Sequence, residues 1–370
     1  MGRAQVRLFL CGDVMLGRGV DQILPHPVDP ALAEPYVRDA RDYVALAEAV
    51  NGPIPRPVDP SYPWGEALGV LERAAPDARI VNLETAVTAG GERAPGKPLH
   101  YRMHPANLPA LTVARPDVCV LANNHVLDHG PAGLHDTLTA LDAAGVRTAG
   151  AGLDAEGAAR PAVVPLPHGG RVVVHALGLA SSGVPPDWAA GPDRAGVHYA
   201  SGPGDGTAVR LAARIRADKA PGDVVVVSVH GGSNWGYGVP RDLAGLAHLL
   251  VDAGADVVHG HSSHHPRPLE TYRGRLVLHG CGDLINDYEG ISGYAEYRDD
   301  LRLLPIVAVD ADDGAFLEAR LAPFQSRRLR LEHASSRDGQ WLHEVLGRIS
   351  RPLGVRVERA PDGTPTARPA

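Results

Sequence analysis

The stretch Gly260-His261-Ser262-Ser263-His264-His265-Pro266 crowds three histidines into what reads as a turn. It follows the apolar run Ala255-Asp256-Val257-Val258-His259, which has the length and character of a short buried strand. Imidazole binds divalent transition metals well, and a strand end is where a rigid scaffold aims side chains into a cleft. Four other strand-like runs also finish on ligand-type residues: Leu8 to Asp13, Ile80 to Glu84, Cys119 to His125, and Val224 to His230. These five strand ends are expected to meet around bound metal.

Working outward, strands and helices alternate. Gln5–Cys11, Arg79–Leu83, Asp117–Ala122, Arg171–Leu179 and Asp223–His230 read as strands, and Gly65–Ala75, Pro131–Ala144, Thr207–Ala220 and Arg241–Asp252 as helices. That rhythm argues for an α/β fold with a mainly parallel sheet, whose ligands collect at the carboxyl ends of the strands. Arg275–His279, Leu303–Asp310 and Ala315–Leu321 suggest antiparallel pairing further on. Residues 20–64 are rich in proline, with a helix over about Asp39–Val50, and read as an insertion lying over one face of the site. The domain reading is a main unit over 1–333, a C-terminal helix and strand over 334–359 packed on it, and a disordered tail at 360–370.

A chain of 370 residues can bury a large core. The formal net charge of -7 gives no electrostatic basis for binding nucleic acid or an anionic membrane surface. The expected partner is a small-molecule or oligomeric anionic substrate. Cys11, Cys119 and Cys281 read as buried free thiols. No signal peptide is evident over Met1 to Gly12, and no apolar run approaches the ~20 residues that span a bilayer, so the expected location is cytoplasmic.

The candidate ligands are of mixed type. Asp13 and Glu84 offer carboxylates, Asn124 an amide oxygen, and His230, His261 and His264 ring nitrogens. Such a set suits Mn, Fe, Zn or Co rather than a thiolate-bound structural zinc. Singly each has a plain structural explanation, such as a turn aspartate or a hydrogen-bonded core histidine. Jointly, at converging strand ends, they point to one or two divalent ions, with His125 placed to act as an acid and Arg18 to grip a carboxylate or phosphate.

The stretches Gly12 to Arg18, Val81 to Thr85, Ala122 to Gly130, His230 to Gly236, Gly260 to Pro266 and Gly280 to Tyr288 resemble, in order, those of the CapA-type proteins. That family is named for poly-γ-glutamate capsule synthesis and belongs to the calcineurin-like metallophosphoesterase superfamily. The resemblance implies a four-layer α-β-β-α sandwich of two mixed sheets. It implies that Asp13 and His264 serve a first metal, that Glu84 stands at the bridging position, that Asn124, His230 and His261 serve a second, and that His125 is the catalytic histidine. Met15 stands where the superfamily has a histidine, and His261 and His264 are three apart rather than two. The implied function is a metal-dependent hydrolase, acting on phosphoesters through a metal-activated water. One alternative is a hydrolase or transferase on glutamyl or amino-acid amides, with Arg18 holding a carboxylate. The other is a non-catalytic accessory protein of poly-γ-glutamate synthesis or export.

Overall fold

In the computed structural model, which describes residues 5–167, 169–291 and 293–370, Gln5–Val14 (β1) is the hub of a ten-stranded mixed sheet. The first four residues, part of the stretch read as lacking a signal peptide, lie outside that description. Ala78–Leu83 (β2), Val118–Val120 (β3) and Arg147–Ala149 (β4) extend this sheet in parallel. The chain then builds a seven-stranded sheet. Arg171–Leu179 (β5), Asp223–His230 (β6) and Val257–His261 (β7) run parallel, and Leu269–Tyr272 (β8) turns back antiparallel on Arg275–Leu278 (β9). It finally returns to the first sheet. Asp283–Ile285 (β10) joins β1 in parallel, while Leu301–Asp310 (β11) and Phe316–Ser326 (β12) form an antiparallel pair beside it. Val355–Arg359 (β13) and Pro365–Pro369 (β14) complete the edge.

Strict alternation along β6 shows why the second sheet is buried on both faces. Val224 and Val226 join Leu8, Leu10 and Ile80 in an apolar cluster common to both sheets. Val225, Val227 and Val229 point the other way, onto a second cluster. That cluster is completed by Leu211 and Ile215 of a helix at Gly206–Asp218 and by Leu246 and Leu250 of one at Arg241–Asp252. The helix at Gly130–Ala143 starts with Pro131 in its first turn and is followed by Gly145 at φ 72°, as its sequence signals required. Insertion residues Ile23, Val44, Ala47, Ile54 and Val58 form a small cluster with Ala110 and Leu329 of the main body. Among the described residues, no helix is long and apolar enough to cross a membrane.

Two expectations fail. The strand expected to stop at His259 runs on through His261, so His261 is a strand residue paired in register with His230 rather than part of the turn. The tail expected to be disordered instead contributes β14, with Thr366 and Ala367 buried between β12 and β13. Its proline-rich composition misled because Pro365 and Pro369 occupy the strand's ends. One partner, β13, lies just upstream as the other arm of a hairpin, but the second, β12, is more than 40 residues away and leaves no local trace.

Candidate metal centre

Asp13 reaches the site because β1 can approach the 280–283 loop closely. A Cβ on Gly12 would lie 1.6 Å from Gly282 O, so only glycine is tolerated, and the Asp13 amide donates to that same carbonyl at 3.2 Å. Asn82, opposite Asp13 on β2, donates through Nδ2 to Asp13 Oδ1 at 2.7 Å and to Glu84 Oε2 at 3.1 Å. Its own Oδ1 accepts from Asn123 Nδ2 at 3.0 Å. Asn123 Oδ1 in turn accepts from the amides of His125 and Val126, an Asx turn that presents Asn124 and His125 to the centre.

The histidines are set by a chain of hydrogen bonds. His259 Nε2–H donates to Cys11 O at 2.8 Å, which leaves His259 Nδ1 to accept from the Ser228 hydroxyl at 3.1 Å. Ser228 Oγ then accepts from His261 Nε2–H at 2.8 Å, and His261 Nδ1 is left with a bare lone pair. That lone pair faces Asp13 Oδ1 at 3.7 Å and His230 Nδ1 at 2.8 Å. With Asn124 Oδ1 accepting from His230 Nε2 at 2.9 Å, His230 Nδ1 is also unprotonated. Two imidazole lone pairs and a carboxylate thus converge, and mutual repulsion is relieved only by a cation or proton between them. Asp13, His230 and His261 offer ligand atoms all within 4.8 Å of one another. The oxygen-and-nitrogen donor set fits Mn, Fe or Zn.

A second group, Asp13, His264 and Asp283, meets the same distance limit. Ser262, at φ 100°, turns the chain sharply between His261 and His264, and its amide lies 3.3 Å from Asp13 Oδ2. His264 Nδ1 is 3.0 Å from Asp283 Oδ1, Asn286 Nδ2 donates to Asp283 Oδ2 at 2.6 Å, and buried Arg302 donates to Asn286 Oδ1 at 2.9 Å. Asp283, inside the matched stretch Gly280 to Tyr288 but not among the ligands expected from sequence, places its carboxylate among the donors. Asp13 is common to both groups, while Glu84 Oε1 lies 3.7 Å from His230 Nε2 and 3.9 Å from His125 Nε2.

His125 Nδ1 is 2.6 Å from Asp128 Oδ2, and Lys97, which no sequence signal pointed to, bonds to both Asp128 and the Asn124 carbonyl. Tyr101 stands edge-on to the His125 ring, 4.5 Å between centroids. Arg18 is placed differently from expectation. It is buried and bidentate to Asp287, at 3.0 and 2.5 Å, and its Nη1 donates to Glu34 and Tyr43 of the insertion. Its donors are committed to these partners, not to the metal donors or to Asp128.

Burial and neighbouring charges shift the titrations at the centre. Burial, then the charge of Asp283, pushes Asp13 up to about 7, and burial with Asp13 beside it holds Glu84 well above the usual carboxylate range. Burial drives His230 and His261 far below 6.5. It also lowers His125 to about 4, against the pull of Asp128. For His264, burial opposes protonation but Asp283 and Asp13 prevail, and the ring is raised. Neutral imidazoles beside carboxylates reluctant to ionise are what a divalent cation would reverse.

Comparison with known proteins agrees with the motif order. A family model described as "Bacterial capsule synthesis protein PGA_cap" matches residues 7–288. The chain is 54% identical over 359 residues to a "Probable polyglutamine synthesis accessory protein" of Mycobacterium tuberculosis, across 96% of this chain and 94% of the relative. It is 28% identical over 204 residues to the "PGA biosynthesis protein CapA" of Bacillus subtilis, across 55% of this chain and 50% of that one. With the "Capsule biosynthesis protein CapA" of Bacillus anthracis it shares 25% over 293 residues, 76% of this chain and 60% of that one. The chain therefore belongs to the CapA-type family of bacterial capsule synthesis proteins.

Proposed function

We propose that this chain is a divalent-metal-dependent hydrolase, with phosphoesters as its substrate class, working in the synthesis of a glutamate polymer. The observation that carries the reading is Asp13, one carboxylate shared by two groups of donors beside the His125–Asp128 pair. Asp13, His230 and His261, with Asn124 beside them, would hold one ion, and Asp13, His264 and Asp283 a second, with Glu84 facing His230. A divalent ion supplies Lewis acidity toward an anionic oxygen and lowers the pKa of water. Asp128 orients His125 so that Nδ1–H faces the carboxylate and Nε2 faces the centre, where it takes up a proton or returns one to a leaving group. Against burial, His125 and then Lys97 hold Asp128 below the usual carboxylate range, and Lys97 also holds the turn through the Asn124 carbonyl. The four-layer arrangement belongs to the same proposal, supported by one apolar cluster joining the two sheets and a second backing the seven-stranded sheet with helices.

A second reading, a non-catalytic accessory role in polymer synthesis, is favoured by the word "accessory" in the name of the mycobacterial relatives. Metal analysis of protein purified without chelator, followed by assays on bis-p-nitrophenyl phosphate, p-nitrophenyl phosphate and γ-glutamyl-p-nitroanilide, separates the readings. The hydrolase reading expects bound Mn, Fe or Zn and phosphoester turnover that falls about 100-fold or more in His125→Ala. Turnover of the anilide alone moves the substrate class to amides. Bound metal with no turnover on any of the three, or wild type and His125→Ala alike, leaves the accessory reading.

A further inference from the structure

A roomy groove of about 760 Å³ lies away from the metal donors. Arg7, in its lining, sits near the start of β1, roughly 20 Å along the strand from Asp13 at the other end. The register explains its floor. Arg7 pairs with Ala308 and Ala308 with Glu318, while Ile306 pairs with Arg320, so these side chains share one face of the ten-stranded sheet. The helix at Ala67–Ala74 flanks this strip on one side, and the start of the helix at Ser336–Ser350 with the β13–β14 hairpin flanks it on the other. The gap between them leaves a trough with Ile306 and Ala308 at its base.

The charges in the trough do not cancel. Glu318 is already paired with Arg368 at 2.5 Å, and Asp362 with Arg320. Three further arginines have no carboxylate partner among the described residues. The Arg7 guanidinium donates only to the Ala74 carbonyl at 3.1 Å, while its backbone amide, not its side chain, donates to Asp77 Oδ2 at 2.7 Å; the Arg359 side chain donates to Gln340 Oε1 at 2.7 Å and Gly363 O at 3.3 Å, and Arg73 forms no ion pair among the described residues. All three are exposed, on a chain whose net charge is -7. A local surplus of forked cations above a small apolar floor suits a ligand that carries carboxylates on short methylene stems.

We propose that this groove binds an extended acidic polypeptide of the glutamate type, with carboxylates on Arg7, Arg73 and Arg359 and methylenes over Ile306 and Ala308. The site is separate from the metal centre and from the chemistry proposed there, while the choice of glutamate as the acidic residue rests on the proposed role in glutamate-polymer synthesis. Fluorescein-labelled oligo-glutamate, followed by anisotropy at low salt, tests it. Wild type binds, the affinity weakens with added salt, and the triple variant Arg7→Ala, Arg73→Ala, Arg359→Ala loses about tenfold or more while keeping its melting temperature. Asp13→Asn binds the probe as wild type does. The proposal is overturned if the triple variant binds as tightly as wild type, if neither binds, or if Asp13→Asn abolishes binding, which would place the polymer at the metal centre. It is equally overturned if a single-stranded RNA of matched charge binds the groove in preference to oligo-glutamate.

Discussion

Ser228 is not one of the proposed metal donors, yet it decides which nitrogen of His261 carries a proton. Its hydroxyl receives the His261 Nε2–H and donates to His259, whose far side is fixed by the Cys11 carbonyl. Ser228→Ala frees His261 to take the other tautomer and is expected to weaken Mn or Zn binding about 10- to 100-fold, measured by chelator competition. Ser228→Thr, which keeps the hydroxyl, should restore much of it; equal affinities in wild type and Ser228→Ala would break the relay. At this scale the sequence was legible where a ligand-type residue was read at a strand end, as with Asp13 and His230; His261 was singled out by type but assigned to the turn rather than to the strand it ends. It was illegible where a residue acts through a fold-made neighbour. Ser228 and His259 look like ordinary core positions, Lys97 lies in an aperiodic glycine- and proline-rich loop, and the reach of Asp283 depends on its parallel pairing with Asp13. Arg18 was visible, but its partners were not: Glu34 comes from an irregular insertion and Asp287 from a loop 269 residues further along the chain.

The elements were read most faithfully where one period dominates. Arg171–Leu179, Asp223–His230 and Arg241–Asp252 were expected with the bounds they have. The helix at Ser336–Ser350 falls within the expected C-terminal unit at 334–359, and Ser335 fixes its start, its side chain accepting from the Asp338 amide. β14 shows the limit of local reading, since its hydrogen bonds come from strands that composition does not reveal. It lies between β12 and β13, so deleting residues 361–370 opens two strand edges and exposes buried Thr366 contacts. The truncated chain is expected to melt several degrees lower and to aggregate on heating, read by scanning calorimetry and light scattering. An unchanged melting temperature would mean the strand adds nothing to the sheet.

Across the whole molecule, buried histidines set the acid limit. His129, His175, His259 and His265 are each lowered to about 4, burial being the main cause, against about 6.5 when unfolded. A depressed pKa gives stability that is complete above the unfolded value and is lost as pH falls toward the folded one. Between pH 6.5 and 4 each costs at most about 1.4 kcal/mol per pH unit. Asp13 and Glu84, raised instead, act in the opposite sense, stabilising the metal-free chain at low pH and losing that contribution as pH rises. The four histidines outnumber them, so the urea midpoint of chelated protein should be lower at pH 5 than at pH 7.5; a flat or inverted profile would contradict this balance. Overall α/β character, the parallel first part and the antiparallel later strands were all legible, because they follow from hydrophobic period and connection length. How the ten strands of one sheet are ordered was not, because order is a property of distant pairings.

Asp13 belongs to one sheet, and His230 and His261 to the other. An ion gripped by all three would act as a rivet through a seam, so that prying the halves apart and emptying the centre become the same motion. Stripping the metal should then be felt as looseness along β1 and β7, visible as faster amide exchange well beyond the ligands themselves.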